Sequence, residues 1–110
     1  MPGAGSAQWR VRDTGAWGAT NLSTGTVYIA PRTPPARLLD VVRHEYMHVL
    51  QGRAYGDIRS AGAALAAVGG IEVNADCGAL AMGASWTNYV RSCTPLQASA
   101  ALRILAGQRA

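Results

Sequence analysis

The stretch "VVRHEYMHVLQG", residues 41–52, contains both histidines of this 110-residue chain. His44 and His48 are four residues apart, and Glu45 directly follows the first of them. On an α-helix this spacing places both imidazoles on one face, one turn apart, so that they can bind the same metal ion. The pattern H-E-x-x-H is a signature of zinc sites in which the glutamate acts as general base. We therefore predict a helix over residues 35–51 that carries a metal site.

A catalytic zinc of this kind takes three protein ligands and leaves one position for water. With no third histidine, the third ligand has to be one of the acids or cysteines that follow the helix: Asp57, Glu72, Asp76, Cys77 or Cys93. We favour Glu72, because it and Asp76 are four residues apart in "IEVNAD" and share one face of a predicted helix over residues 71–83. Asp76 can then accept a hydrogen bond from a ligating histidine and fix its tautomer.

Both motifs also have simpler interpretations. Two unrelated histidines can share an exposed helix face, and acids on a helix are usually solvated. Two observations favour the metal site. Both histidines of the chain fall within one motif, and the stretch "GGIEVNADCGALAMG", residues 69–83, has no charged residue other than the two acids.

Together the two motifs resemble those of the gluzincins, the thermolysin-like zinc metallopeptidases. "HEYMH" (44–48) followed by "EVNAD" (72–76) is similar to their H-E-x-x-H helix completed by a glutamate in E-x-x-x-D. The resemblance covers residues 23–93 and extends to small single-domain secreted relatives with "RHEYxHVLQ" and "EVxADC" elements. It implies peptide-bond hydrolysis with Zn2+ held by three ligands, a Glu-activated, zinc-bound water and a second-shell acid. The residues in these roles are His44, His48 and Glu72 as ligands, Glu45 as general base and Asp76 behind the ligands.

The chain departs from the larger gluzincins in two respects. They use a further His or Tyr to stabilise the transition state, and here only a tyrosine, Tyr89 or Tyr55, can serve. The chain also lacks the large second lobe of thermolysin. An alternative function is therefore a catalytically weak zincin-like zinc-binding module that acts as a structural or interaction domain. Glu45 favours the enzyme, because a purely structural site does not need a general base.

The pattern along the chain predicts an α+β fold: a minimal zincin-like domain spanning 1–110, with residues 1–6 disordered or an artificial start. Strands are expected at "QWRVR" (8–12), whose alternation indicates a half-buried strand, at "GAWGATN" (15–21) and at "STGTVYIA" (23–30). They form a short antiparallel sheet with "TVYIA" as the edge strand near the cleft. This sheet packs on the H-E-x-x-H helix, which Thr33 caps and Gly52 ends, with two further helices at 71–83 and 94–107 behind it, the second capped by Thr94. Trp9, Trp17 and Trp86 are expected in the core or the cleft wall. Residues 53–70 are expected to form a loop with a short helix.

The two cysteines, Cys77 and Cys93, are predicted to form a disulfide, although reduced buried thiols or metal binding are alternatives. A small domain gains stability from such a link, which also indicates a secreted or extracytoplasmic protein. The N-terminus does not have the pattern of a signal peptide, which could have been removed.

The net charge of +4 comes from ten arginines against six acids, and the chain has no lysine. These arginines are scattered, so we expect no nucleic-acid partner. No apolar run is long enough to cross a membrane. We expect a monomer with a peptide or protein substrate.

Overall fold

The computed structural model describes residues 7–110, so the expectation for residues 1–6 falls outside it. Within this part of the chain, three short strands are followed by four α-helices and one 3₁₀ turn. The strands are β1 (Gln8–Val11), β2 (Gly18–Asn21) and β3 (Thr26–Ile29). The helices are α1 (Pro35–Tyr55), α2 (Ile58–Leu65), α3 (Gly70–Ala81) and α4 (Pro95–Leu105), and the 3₁₀ turn is Ala66–Val68. The predicted α+β class is confirmed, but three helices rather than two accompany α1.

The sheet is mixed, not antiparallel as predicted. Its strand order is β1-β3-β2, with β3 antiparallel to β2 and parallel to β1. The expectation that "TVYIA" forms the edge strand is therefore wrong, because β3 is central and β2 is the edge beside α1. The reason is tertiary: β2 packs against α1 through Gly18, which leaves the other side of β3 free for β1. Within residues 7–110 all four residues of β1 are exposed, Val11 to 77 %, so the predicted half-buried face of this strand is also wrong.

Both predicted ends of the first helix differ from the structure. Gly52 lies inside α1, which continues to Tyr55. A Cβ on Gly52 would overlap the backbone carbonyl of Leu22, so the glycine allows the β2–β3 turn to approach the helix closely. At the other end Thr33 does not cap the helix. Its hydroxyl instead donates to the Ala30 carbonyl at 2.7 Å, and the cap position is Pro34.

Helix α3 packs closely on α1, and this contact brings the two sequence motifs together. A Cβ on Gly78 of α3 would overlap the fully buried Met47 side chain of α1, so only glycine permits so close an approach. The core around this contact is apolar and includes Met47, Leu50, Ala75, Cys77, Ala101 and Ile104. As a result the face of α3 that begins at Glu72 lies against the histidine face of α1.

The remaining helices agree more closely with expectation. Residues 53–70 contain the last turn of α1, then α2 and the 3₁₀ turn, so this segment is more helical than predicted. Thr94 caps α4 as predicted: its hydroxyl accepts from the Gln97 N–H, and the Gln97 side chain accepts from the Thr94 N–H. Two such reciprocal bonds are the capping box, which satisfies donors at the start of the helix.

Within residues 7–110 no single helix is long and apolar enough to cross a membrane. The segments 58–68 and 70–81 reach that length and apolarity only as a pair, and they are bent by 74° relative to each other.

Cys77 and Cys93 form the predicted disulfide, with Cα atoms 5.9 Å apart. The bond joins α3 to the segment between α3 and α4, residues 82–94, which we call the 82–94 loop. Disulfides persist mainly outside the reducing cytoplasm, so this bond is consistent with an extracytoplasmic location.

Replacing both cysteines by alanine should lower the free energy of unfolding by about 3 kcal/mol, because the bond closes a loop between residues 16 apart in sequence. Urea denaturation of the oxidised wild type and of Cys77→Ala/Cys93→Ala measures this difference. Equal midpoints for the two proteins would contradict the prediction, and reduced wild type should resemble the variant.

Candidate metal centre

Three donor atoms from α1 and α3 converge at one point. Both imidazoles lie on one face of α1, and their Nε2 atoms are 3.2 Å apart. Glu72, in the first turn of α3, places its Oε1 atom 2.6 Å from His48 Nε2 and 3.2 Å from His44 Nε2. The structure thus brings together the three residues that the sequence analysis selected as ligands.

Asp76 determines which nitrogen of His44 faces the cluster. Its Oδ1 lies 2.7 Å from His44 Nδ1, and its Oδ2 accepts the backbone N–H groups of Tyr89 at 2.5 Å and Val90 at 3.1 Å. The side chain is almost fully buried, and each of these contacts places a nitrogen that can donate against one of its oxygens. With Nδ1 donating to Asp76, the ring of His44 directs Nε2 towards the cluster.

Gln51 plays the corresponding part for His48, which the sequence analysis did not predict. The Gln51 amide nitrogen donates to the Ile71 carbonyl at 3.0 Å and to Asn74 Oδ1 at 2.8 Å. Its Oε1 therefore faces His48 Nδ1, at 2.8 Å, and accepts a hydrogen bond from it. The sequence did contain a signal for this contact. Gln51 lies three residues after His48, and that spacing places it one turn further along the same helix face.

With both Nδ1 atoms engaged, His44 Nε2, His48 Nε2 and Glu72 Oε1 face one another. Such an arrangement requires a cation, either a proton or a metal ion. Burial lowers the pKa of His44, but hydrogen bonds to the Asp76 and Glu72 carboxylates outweigh it and raise the pKa to about 9. Burial raises the pKa of Glu72, but hydrogen bonds from both histidines outweigh it and hold the pKa well below its usual range.

The donor set fits a metal ion. His44, Glu45 and His48 form a group whose possible ligand atoms all lie within 4.8 Å of one another, and Glu72 adds a carboxylate oxygen at the same point. Two ligands bonded to one tetrahedral zinc lie about 3.3 Å apart. Two of the three donor separations, at 3.2 Å, match this value. The third is 2.6 Å, a hydrogen-bond length, and has to widen slightly.

One oxygen of Glu45 is engaged on the side of the sheet. Its Oε1 accepts a hydrogen bond from the Thr20 hydroxyl at 2.7 Å, and Gly18 of β2 lies directly against its side chain. The side chain is buried beneath the edge strand. Thr20 is a further residue that the sequence analysis did not predict, and no local pattern could have indicated it, since it is 25 positions away in sequence.

The cavity that these residues line has a volume of about 560 Å³, and its lining includes His44, His48, Glu72 and Glu45. Its floor is α1, one wall is β2 with the preceding loop, and the other is the 82–94 loop. Trp17 and Trp86 meet across one end, with ring centroids 5.4 Å apart, and the Arg37 guanidinium lies over Trp86. Both tryptophans are therefore cleft-wall residues, as the sequence analysis expected, whereas Trp9 is exposed on β1.

Of Tyr89 and Tyr55, only Tyr89 lines this cavity. Its hydroxyl donates to Glu72 Oε2 at 3.0 Å, and its ring stacks on His44 with centroids 5.8 Å apart. Burial and the negative charge of Glu72 raise the pKa of Tyr89. Tyr55 lies elsewhere, where its hydroxyl accepts from the Ala110 N–H and Arg109 lies over its ring.

The 82–94 loop is held to α1 by the buried carboxylate of Asp40. Its Oδ2 accepts the Trp86 N–H at 3.0 Å and the Ser85 N–H at 3.3 Å, and its Oδ1 pairs with Arg43 at 2.9 Å. Burial raises the pKa of Asp40, but the hydrogen bonds from Arg43, Trp86 and Ser85 outweigh it and lower the pKa below its ordinary value. Asp40 therefore positions the tryptophan wall of the cavity.

Asp40→Asn should lower the free energy of unfolding by about 2 kcal/mol at neutral pH, since hydrogen bonds to a charged group are lost. A lowered folded-state pKa means that this stabilisation is complete above the unfolded-state value and is lost as pH falls through the folded-state value. The wild-type advantage should stay constant from about pH 5 upward and shrink below about pH 4. Urea denaturation of both proteins across this range measures it. An advantage independent of pH would contradict the ionised role of Asp40.

Comparison of this chain with protein-family models, with curated proteins and with solved structures finds no significant match. The chemistry of the site is therefore inferred from its own residues. In the described part of the chain, two buried hydrogen-bond networks orient both imidazoles towards Glu72, and the buried Glu45 lies beside them in an open cavity.

Proposed function

We propose that this protein is a zinc-dependent metallopeptidase of the gluzincin type. The observation that supports it most is the orientation of both imidazoles: Asp76 and Gln51 each accept a hydrogen bond from Nδ1, so that both Nε2 atoms face Glu72 Oε1. Histidines that merely share a helix face have no need of two buried acceptors. The second-layer acceptors of metal-bound histidines have this arrangement.

In this proposal His44 and His48 hold zinc through Nε2, and Glu72 holds it through Oε1. Two imidazoles and one carboxylate are a common ligand set for catalytic zinc. When bound, zinc would polarise the scissile carbonyl and lower the pKa of water at the site to about 7. Glu45 is not part of the ligand set, since its Oε1 is engaged by Thr20 on the side of the sheet.

Glu45 acts as the general base. Its carboxylate accepts a proton from the attacking water and then delivers that proton to the nitrogen of the leaving amine, so the proton count balances over one turnover. Burial beneath β2 keeps its side chain in place, and the Thr20 hydroxyl holds one oxygen and leaves the other available.

The cavity suits an extended peptide. β2 is an edge strand, so its free backbone groups can pair with a substrate strand that runs past the metal centre. The disulfide supports action outside the cytoplasm, so we propose a secreted peptidase whose substrates are extracellular peptides or proteins.

One observation favours the weaker alternative, a zinc-binding module with little turnover. The Tyr89 hydroxyl already donates its hydrogen bond to Glu72. Transition-state stabilisation would then depend on the metal and on backbone groups. The presence of a buried glutamate beside the two histidines still favours the enzyme.

Metal analysis of the purified protein together with a peptidase assay on a mixed peptide library tests the proposal. We expect one zinc per chain and cleavage that a chelator abolishes. One zinc without cleavage of any library peptide would support the binding module, and the absence of bound zinc after zinc loading would contradict both functions.

Thr20→Val should slow hydrolysis between about tenfold and a hundredfold, because it removes the hydroxyl that orients Glu45 while nearly preserving side-chain shape. The loss should fall on kcat, with KM and zinc content unchanged, and Thr20→Ser should restore the rate. Steady-state kinetics of the three proteins measure this. A loss confined to KM, or no rescue by serine, would contradict the positioning role of Thr20.

A further inference from the structure

Tyr89 contacts Glu72 and His44, two of the three residues proposed as metal ligands. Its hydroxyl lies 3.0 Å from Glu72 Oε2, and its ring stacks on that of His44 with 22° between the planes. Its backbone N–H donates to Asp76 Oδ2, and the other oxygen of Asp76 holds His44. Tyr89 therefore links the 82–94 loop to both ligand-bearing helices.

The two oxygens of Glu72 have different partners. Oε1 faces both imidazoles, whereas Oε2 accepts from the Tyr89 hydroxyl. A phenol has one proton to donate, so the hydroxyl that holds Oε2 does not serve a second acceptor at the same time. The same hydrogen bond opposes rotation of Oε2 towards the metal.

We propose that Tyr89 is a positioning residue that keeps Glu72 a one-oxygen ligand, and that it does not stabilise the transition state. This inference rests on the zinc site proposed above. With Glu72 bound through one oxygen, the fourth position that catalysis requires stays open. Without the hydroxyl, Oε2 is free to become an additional ligand and to fill that position.

Tyr89→Phe tests this role, because it removes only the hydroxyl from a side chain that is 52 % exposed and should not prevent folding. Tyr55→Phe is the matched control, since that hydroxyl contacts the Ala110 N–H away from the cavity. Zinc affinity is measured by competition with a chromophoric chelator. We expect the zinc affinity of Tyr89→Phe to differ from that of wild type by about 10- to 100-fold, the usual size of the effect of losing a partner behind a ligand. Tyr55→Phe should match wild type.

A second readout is the visible spectrum of the cobalt(II)-loaded proteins, which depends on coordination number. The proposal predicts weaker visible bands for Tyr89→Phe than for wild type, as expected when a carboxylate adds its second oxygen.

Three results would overturn the inference, and they differ from one another. Unchanged zinc affinity and an unchanged cobalt spectrum in Tyr89→Phe would show that the hydroxyl does not hold Glu72. A fall in kcat at saturating zinc with unchanged affinity would assign Tyr89 to the transition state. Failure of the wild type to bind zinc would contradict the proposed function itself, and with it this inference.

Discussion

Glu45→Gln should retain zinc and the fold but lose hydrolysis by about a hundredfold to ten-thousandfold, the usual effect of removing a general base. The substitution preserves side-chain size and leaves an amide oxygen that can accept from Thr20, so the contact with β2 survives. Only proton transfer is removed. Zinc content, the unfolding midpoint and the peptidase rate of both proteins measure this division of roles.

Asp57→Asn is the matched control for this acid-to-amide change. Asp57 caps α2, and asparagine caps a helix about as well, so activity and stability should match wild type. Loss of zinc from Glu45→Gln would show that Glu45 is itself a ligand. Full activity in this variant would show that hydrolysis does not use Glu45 as base.

Unlike Glu45→Gln, Glu72→Ala should weaken zinc binding itself, because it removes a proposed metal ligand. The two imidazoles alone leave zinc with two protein ligands, whereas catalytic zinc sites use three. We therefore expect zinc affinity to fall by more than the roughly 10- to 100-fold that is typical of a lost partner behind a ligand, and activity to be lost with it. Chelator competition and zinc-dependent peptidase assays measure both effects.

Asp13→Ala is the matched control, because it also replaces an acidic side chain by alanine. Asp13 forms an exposed ion pair with Arg32, and exposed pairs contribute little to stability. Its zinc affinity should equal that of wild type. Unchanged zinc affinity in Glu72→Ala would move the third ligand to another residue, and Glu45 would then be the first candidate.

Helix ends that depend on the local sequence were predictable. Helix ends and strand order that depend on contacts between distant segments were not. The Thr94 cap followed from a local signal, and α4 begins beside it. Glycine often ends a helix, so the local pattern predicts a helix end at Gly52. In the structure, the close approach of the Leu22 carbonyl is what requires glycine at this position. The sheet was predicted to be antiparallel because neighbouring strands usually pair. The packing of β2 against α1 instead left β3 as the central strand.

For the site, the sequence by itself determined the histidine face of α1 and the partners of the disulfide. Helical periodicity alone places His44 and His48 together, and two cysteines allow only one intramolecular pairing. The choice of Glu72 over other acids also agreed with the structure, although its role as ligand stays a prediction.

Only the tertiary structure decided what surrounds these residues. Thr20 reaches Glu45 from β2, Asp40 holds the 82–94 loop, and Tyr89 rather than Tyr55 faces Glu72. Each of these contacts joins segments that are far apart in the chain, so no local spacing encodes it. They form because the β2 edge, α3 and the disulfide-linked loop all pack against the same face of α1, and side chains that meet there must satisfy one another's buried polar groups.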